Sequence, residues 1–396
     1  MATKYTVLRA VRAPHAADPF GGGFLGPAAA ALEAAPEARL EVAELSRNDV
    51  RDLQRDPQVA AMAPTMPLLL IEPFEVAAEA AAAAAWGIGA VGADVSPFSG
   101  QGVPVAVLDT GIDATHPAFA GVTLEQKDFT GDGDGDVQGH GTHCAGTIFG
   151  RDVNGTRIGV ARGVSRALIG KILADNGSGE SDWLFQGIQW ALDRGARVIS
   201  MSLGFNFPGL VQRLIDDHGF RPDVATSLAL EGYRGNLRVL DALMSLASAH
   251  EAIDGGAVIV AASGNESGRD EDPPFEIAVS VPAAANGVVS VGALGESGPG
   301  LLVAPFSNTL PEIAAPGVGI LSARAGGGLR TLSGTSMATP HVAGLAALWW
   351  EALRVAGLPL RARNVVAKLL ASARTASLAP GVEVADRGVG VATAPA

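Results

Sequence analysis

The 396-residue chain is short of several things, and each shortage excludes a class of protein. It has one cysteine, Cys144, so no internal disulfide can form and its thiols say nothing of a redox compartment. Cations are scarce: 28 Lys and Arg stand against 41 Asp and Glu, a net charge of −13 with no long basic run. Nucleic acid is therefore not an expected partner, because phosphate binding needs clustered positive charge. Long apolar runs are missing too. The longest, AAAAAAWGIGAVGA at 80–93, is shorter than the roughly 20 residues of a membrane span and rich in Ala and Gly, so no membrane association is expected. The first residues, MATKYTVLRAVRAP, contain no apolar h-region of roughly 7–15 residues. A cytoplasmic protein is expected on that ground, with secretion the alternative had a signal been removed. No internal repeat is visible.

What is present is ample apolar material, 48% of the chain, enough for a large core. Residues 1–70 read as a small α+β unit. KYTVLRAV alternates like a strand, 18–27 is a loop, a helix interrupted by Pro36 is expected over 27–40, and EVAELS is a second strand. Ser46 is a candidate N-cap for a helix that carries Val50 and Leu53 on one face and stops near Asp56 and Pro57. Residues 71–100 form a linker and the entry to the main domain. From 101 to 396 buried strands (VPVAVLDTG, RALIGKIL, ARVISMSLG, GAVIVAASGN, GVVSVGAL) alternate with helical stretches near 181–194 and 235–252. Strands apolar on both faces predict a doubly wound α/β fold, a mostly parallel sheet flanked by helices. Chemistry in such sheets gathers at the carboxyl ends of strands, where Asp109, Ser202–Gly204 and Asn265 stand.

LSGTSMATPHVAGLAALWW, 332–350, sets Ser336 at the start of a helix that runs into the core, where N–H groups and the helix dipole favour negative charge. Serine is a weak nucleophile until a base takes its proton, and histidine suits that task near neutral pH. GHGTHCAGT supplies His140 and His143, and VAVLDTGID supplies Asp109, a carboxylate able to orient an imidazole.

Together these three segments resemble the subtilisin-like serine proteases, the subtilases, over roughly 86–396, in that family's order Asp, His, Ser. The resemblance implies a serine endopeptidase acting on polypeptides, with Asp109 as orienting carboxylate, His140 as general base and acid, and Ser336 as nucleophile. In AASGNES it implies Asn265 as the side-chain donor to an oxyanion, partnered by the Ser336 N–H. Gly177, Ser178 and Gly179 in NGSG, and Ser202, Leu203 and Gly204 in SMSLG, correspond to the two strands that grip an extended substrate. Ser280 falls at the floor of the pocket for the residue before the scissile bond. With the acidic stretch GRDEDPPFE upstream, a preference for basic or small side chains is expected there. Residues 1–70 resemble the family's propeptide, so an intramolecular inhibitor and a self-processing zymogen, cut within 70–86, are implied. The segment 205–236 exceeds the family's usual connection and reads as a surface insertion or a flap at the cleft. A peptide-binding protein without catalysis is the alternative reading. An α/β-hydrolase esterase is disfavoured, since GTSMA is not a full nucleophile elbow and Asp precedes Ser.

Other chemistry fits less well. His140 and His143 have zinc-like spacing but no third ligand in register. DGDGDVQG fails as an EF-hand, with Val137 where glycine should stand and His143 where Glu should, and reads as a solvated loop. Many subtilases carry structural calcium; here Ala118 stands where they often supply an aspartate, and GRDVNGTRIG departs from their ligand pattern. No cofactor and no metal are expected. Cys144 is expected to pack behind His140, and the protein is expected to be a monomer.

Overall fold

A computed structural model of the chain describes residues 3–11, 37–75, 85–298 and 300–396. In chain order the first elements are β1 (Thr3–Val11), β2 (Glu37–Leu45), α1 (Arg47–Leu53), β3 (Val59–Pro64), β4 (Pro67–Leu70), β5 (Phe74–Glu75) and α2 (Trp86–Ala90). Then come β6 (Val105–Asp109), β7 (Thr123–Asp128), α3 (His140–Phe149), β8 (Arg166–Lys171), β9 (Ser178–Glu180), α4 (Ser181–Asp193), β10 (Val198–Met201) and β11 (Leu203–Phe205). The helices α5 (Phe207–Asp216) and α6 (Pro222–Asp254) precede β12 (Val258–Ala262), β13 (Val288–Ser297), β14 (Gly300–Val303), β15 (Ile313–Pro316), β16 (Ile320–Ala323) and β17 (Leu329–Ser333). The chain continues through α7 (Thr335–Val355), α8 (Ala362–Ala371) and α9 (Val384–Arg387).

These elements form two compact units. One holds the described residues up to Pro67 together with Asn206–Gly256. Its sheet has the order β2-β1-β3, with both pairs antiparallel. Ser46 caps α1 in a reciprocal box with Asp49. Arg9 ties β1 to Glu41 at 3.1 Å and to Asp56 at 2.6 Å. The long helix α6 packs on β3: a Cβ on Gly235 would sit 3.2 Å from that of Ala63, and Asn236 Nδ2 donates to the Pro64 carbonyl at 2.8 Å. Residues 206–236 are therefore not a bare surface insertion, because their helices complete the core of the N-terminal sheet.

One local expectation gives way here. Glu37–Leu40, expected to end a helix, is strand, because pairing with Leu8–Val11 of β1 overrides the helix preference of Glu, Ala and Leu. Val59–Pro64, beyond the helix end expected near Asp56 and Pro57, is strand β3, paired antiparallel with β1. The loop over 18–27 and the rest of the helix over 27–36 lie outside the described residues, as do 76–84 of the expected processing region.

The second unit, Leu68–Phe205 with Ala257–Ala396, has the expected doubly wound α/β plan. Among the described residues its main sheet runs β14-β13-β12-β10-β6-β8-β7, with β15 also on β13. Every pair is parallel except β13 with β14. The central strands β6, β10 and β12 are buried along their whole length, which is why their sequences show no alternation. All ten residues of α3 are buried, so that helix sits inside the protein beside the start of α7. No helix among the described residues is long and apolar enough to cross a membrane.

Candidate active site

Strand β6 ends on Asp109 and helix α3 begins on His140, so the sheet and the helix each deliver one side chain to the same place. Close approach of the two ends requires glycine: a Cβ on Gly141 would lie 2.2 Å from the Gly111 carbonyl oxygen. His140 Nδ1 lies 2.8 and 3.0 Å from the two Asp109 carboxylate oxygens. The Thr110 N–H donates to Asp109 Oδ1 at 2.7 Å, which fixes the carboxylate. Burial, the largest single effect, disfavours a charged imidazole, but charge and hydrogen bonding from Asp109, with a further contribution from Cys144, together hold the His140 pKa well above its ordinary value. Burial pushes the Cys144 thiol up. Cys144 Sγ packs 3.7 Å from His140 Nδ1.

Ser336 is in the first turn of α7, after Gly334 and Thr335, where helix N–H groups have no intrahelical partner. Pro340, four residues on, has no N–H to return to the Ser336 carbonyl. That carbonyl instead accepts from Cys144 Sγ at 3.4 Å and from Ser202 Oγ at 3.3 Å. Asn265 follows β12. Its Oδ1 accepts from the Thr335 N–H at 2.9 Å and from Thr335 Oγ1 at 2.8 Å, which turns its Nδ2 donor away from α7.

The cleft is filled by the chain's own segment from Leu68 to Glu75. Strand β4 lies between β11 and β9, with Leu203 opposite Leu70 and Gly204 opposite Leu69. The Leu70 N–H donates to the Gly177 carbonyl at 2.9 Å. Leu68, Leu70 and Ile71 are buried, whereas Leu69 is 45% exposed, the alternation of a strand. Ile71 reaches toward Gly204 and Ser280: a Cβ on Gly204 would meet Ile71 Cγ1 at 3.7 Å and Ser280 Oγ at 3.6 Å. Ser336 Oγ donates to the Ile71 carbonyl at 3.1 Å, and Asn265 Nδ2 to the Glu72 carbonyl at 3.0 Å. His140 Nε2 is buried and has no hydrogen-bond partner among the described residues. Beyond Pro73, β5 pairs antiparallel with β17, and Phe74 stacks on Phe306 at 4.9 Å.

The substrate-binding residues read from the sequence lie about β4, and Cys144 Sγ, 3.7 Å from His140 Nδ1 and 3.4 Å from the Ser336 carbonyl oxygen, links the Asp109–His140 pair to Ser336. Gly177, Ser178, Gly179, Leu203 and Gly204 flank β4; Ser202 contacts the Ser336 carbonyl; Ser280 adjoins Ile71. The side chain seated beside Ser280 is aliphatic, not the basic or small one expected. His143 stands apart, with Nε2 at 3.1 Å from the Ile320 carbonyl and a pKa lowered to about 3, chiefly by burial. Among the described residues, the one cluster of metal-type donors is Asp109, His140 and Cys144 themselves. The calcium positions do not fit a cation. Ala118 is buried with its carbonyl on the Arg151 N–H at 2.7 Å, and Asp152 pairs with Arg162 at 3.2 Å.

The sequence reading missed three polar supports. Thr335 orients Asn265, as above. Fully buried Asn308 clamps the Asn265 loop, accepting from the N–H groups of Glu266 and Ser267 at 3.0 and 3.1 Å and donating to the Ser263 carbonyl at 3.1 Å. Asp136 is the third. Nothing local marks Asn308; its place after the apolar stretch LLVAPFS looks like any turn.

The sequence pattern of the subtilase family is matched over residues 100–391. The "Major intracellular serine protease" of Bacillus subtilis (strain 168) is 35% identical over 257 residues, 63% of this chain and 68% of that protein. The "Intracellular serine protease" of Paenibacillus polymyxa is 37% identical over 257 residues, 63% and 67% of the two chains. Subtilisin NAT of Bacillus subtilis subsp. natto is 32% identical over 312 residues, 77% and 69%. A family match over most of the chain, with relatives of this similarity, places the chain in the subtilase family, and it is a serine endopeptidase.

Proposed function

We propose that Asp109, His140 and Ser336 form the catalytic triad and that the protein is made as a zymogen plugged by its own residues 68–75. The observation that carries this is the position of β4. An extended peptide lies paired between β9 and β11, with the Ile71 carbonyl on the Ser336 hydroxyl. Main-chain pairing of this kind is how a protease holds a substrate of varied sequence.

The chemistry follows from the groups around that carbonyl. The Asp109 carboxylate holds the His140 Nδ1 proton, which leaves Nε2 as the acceptor facing the cleft. Ser336 gives its proton to Nε2 and attacks the carbonyl carbon. Asn265 Nδ2 and the Ser336 N–H receive the oxyanion, His140 returns the proton to the departing amine, and water releases the acyl group. In the plugged state two of these contacts are misdirected. Ser336 Oγ donates to Ile71 and not to His140, and Asn265 Nδ2 holds Glu72, one carbonyl too far along. The segment is thus held as an inhibitor, and it becomes a substrate when the Ile71 carbonyl turns onto Asn265. The bond broken is Ile71–Glu72, inside the region expected from the sequence. A site of action within the cell is proposed from the relatives named as intracellular proteases.

Intact mass followed over time tests this. Wild type is expected to lose an N-terminal fragment ending at Ile71, and Ser336→Ala to stay whole. A fragment ending elsewhere moves the processing bond. A wild type that stays whole, resists a fluorophosphonate probe and leaves casein uncut overturns the zymogen reading.

A further inference from the structure

The Asp-Gly repeat ahead of His140 reads as a solvated loop, and Asp132 and Asp134 are indeed exposed. Asp136 is not: it is 9% exposed. Its Oδ1 accepts from Thr110 Oγ1 at 2.7 Å and from the Gly139 N–H at 2.7 Å. Its Oδ2 accepts from the Thr142 N–H at 2.7 Å and from Thr142 Oγ1 at 2.6 Å. An ionised carboxylate has about four acceptor positions, and all are filled by donors. Those donors belong to two different elements. Thr110 is the residue after Asp109, and its N–H sets the Asp109 carboxylate. Gly139 and Thr142 belong to the cap and first turn of α3, on either side of His140. The knot closes through the Gly141 N–H, which donates to Thr110 Oγ1 at 2.9 Å. Thr142 Oγ1 in turn accepts from the Asp113 N–H at 2.8 Å.

We propose that Asp136 is a positioning residue of the active site, a brace that fixes the end of β6 against the start of α3 and so sets Asp109 on His140. It touches neither of them and acts through Thr110 and the helix start. The inference rests on the triad reading above. Carboxylate chemistry is needed because every facing group is a donor. An amide in its place turns an NH₂ toward two of those donors, and an apolar side chain leaves all four without an acceptor.

The test uses the full chain after processing. Asp136→Asn and Thr110→Ala are compared with wild type on a chromogenic tetrapeptide ending in Ile. The far-downfield proton resonance of His140 Nδ1 is recorded on the same samples. A small misplacement of reacting groups costs up to about a hundredfold in rate. The expected result for Asp136→Asn is a kcat lower by roughly 10- to 100-fold with KM within about threefold, and a Nδ1 resonance that moves or broadens. Thr110→Ala is expected to change both in the same direction by less. A kcat within about threefold of wild type overturns the proposal, as does a loss of activity with the resonance unmoved. Where Asp136→Asn fails to fold, Thr110→Ala decides by the same criteria. An inactive wild type would count against the triad, while the resonance of the variants would still decide the role of Asp136.

Discussion

Pro340 would normally disrupt a helix, yet here it releases the Ser336 carbonyl from the helix ladder to Cys144 and Ser202. The proposed nucleophile is thereby tied by its backbone to the helix carrying His140 and to Ser202 between β10 and β11, while its hydroxyl donates to the Ile71 carbonyl. The same economy holds at Asn265, whose carbonyl oxygen is spent on Thr335 so that its NH₂ can serve the cleft. Loss of one oxyanion donor in a subtilisin is known to cost about 10²–10³ in kcat, and Asn265→Ala is expected to do the same here. Steady-state kinetics on the processed enzyme check it, with KM nearly unchanged. A kcat within about threefold of wild type would mean that the oxyanion is held by other groups.

Strands of the second unit were legible as apolar runs set off by glycine and polar turn residues, whereas its helices begin without side-chain caps, after Gly139 for α3, Glu180 for α4 and Gly334 for α7. The proposed triad was legible for another reason, since each of its residues sits in a short motif at a strand end or helix start. What the sequence could not disclose is non-local. β3, VAAMAP with one β-branched residue, is held as a strand by pairing with β1 and packing of α6. Asp136 looks like its exposed neighbours until the fold buries it. LLLI is an apolar run like many, and only the folded cleft pairs it with β9 and β11. That strand also replaces the expected basic or small side chain by Ile71, next to Gly204. Gly204 has no side chain where a valine's methyl groups would press on Ile71. Gly204→Val is therefore expected to lower kcat/KM on Leu-Leu-Leu-Ile chromogenic peptide by about tenfold or more. The corresponding peptide ending in Ala should lose less, so the ratio of Ala to Ile cleavage rises. An unchanged ratio would put the wall of that pocket elsewhere.

Over the whole molecule, three buried histidines pull the response to pH in opposite directions. The His140 pKa is raised, Asp109 and Cys144 together exceeding the effect of burial, whereas burial lowers those of His143 and His341 to about 3 and about 4. A histidine raised by folding adds stability that is full below its unfolded value, near 6.5, and is lost as pH climbs through the folded value. A histidine lowered by folding adds stability present above about 6.5 and lost as pH falls toward the folded value. His140 therefore weakens the fold on the alkaline side, and His143 and His341 weaken it on the acid side. Catalysis by the proposed triad needs His140 neutral, so the proposed self-processing draws on the alkaline side, where that stability is lost. Two results are expected. Urea unfolding of Ser336→Ala, which cannot cut itself, should show stability falling from about pH 6.5 toward about pH 4, with a shallower fall when His341→Gln is added. Self-processing of wild type, followed by intact mass, should quicken as pH is raised above about 6.5, the ordinary histidine value. A processing rate flat across that range would mean that proton removal by His140 does not limit release of the plug, leaving the turn of the Ile71 carbonyl onto Asn265 as the slow step.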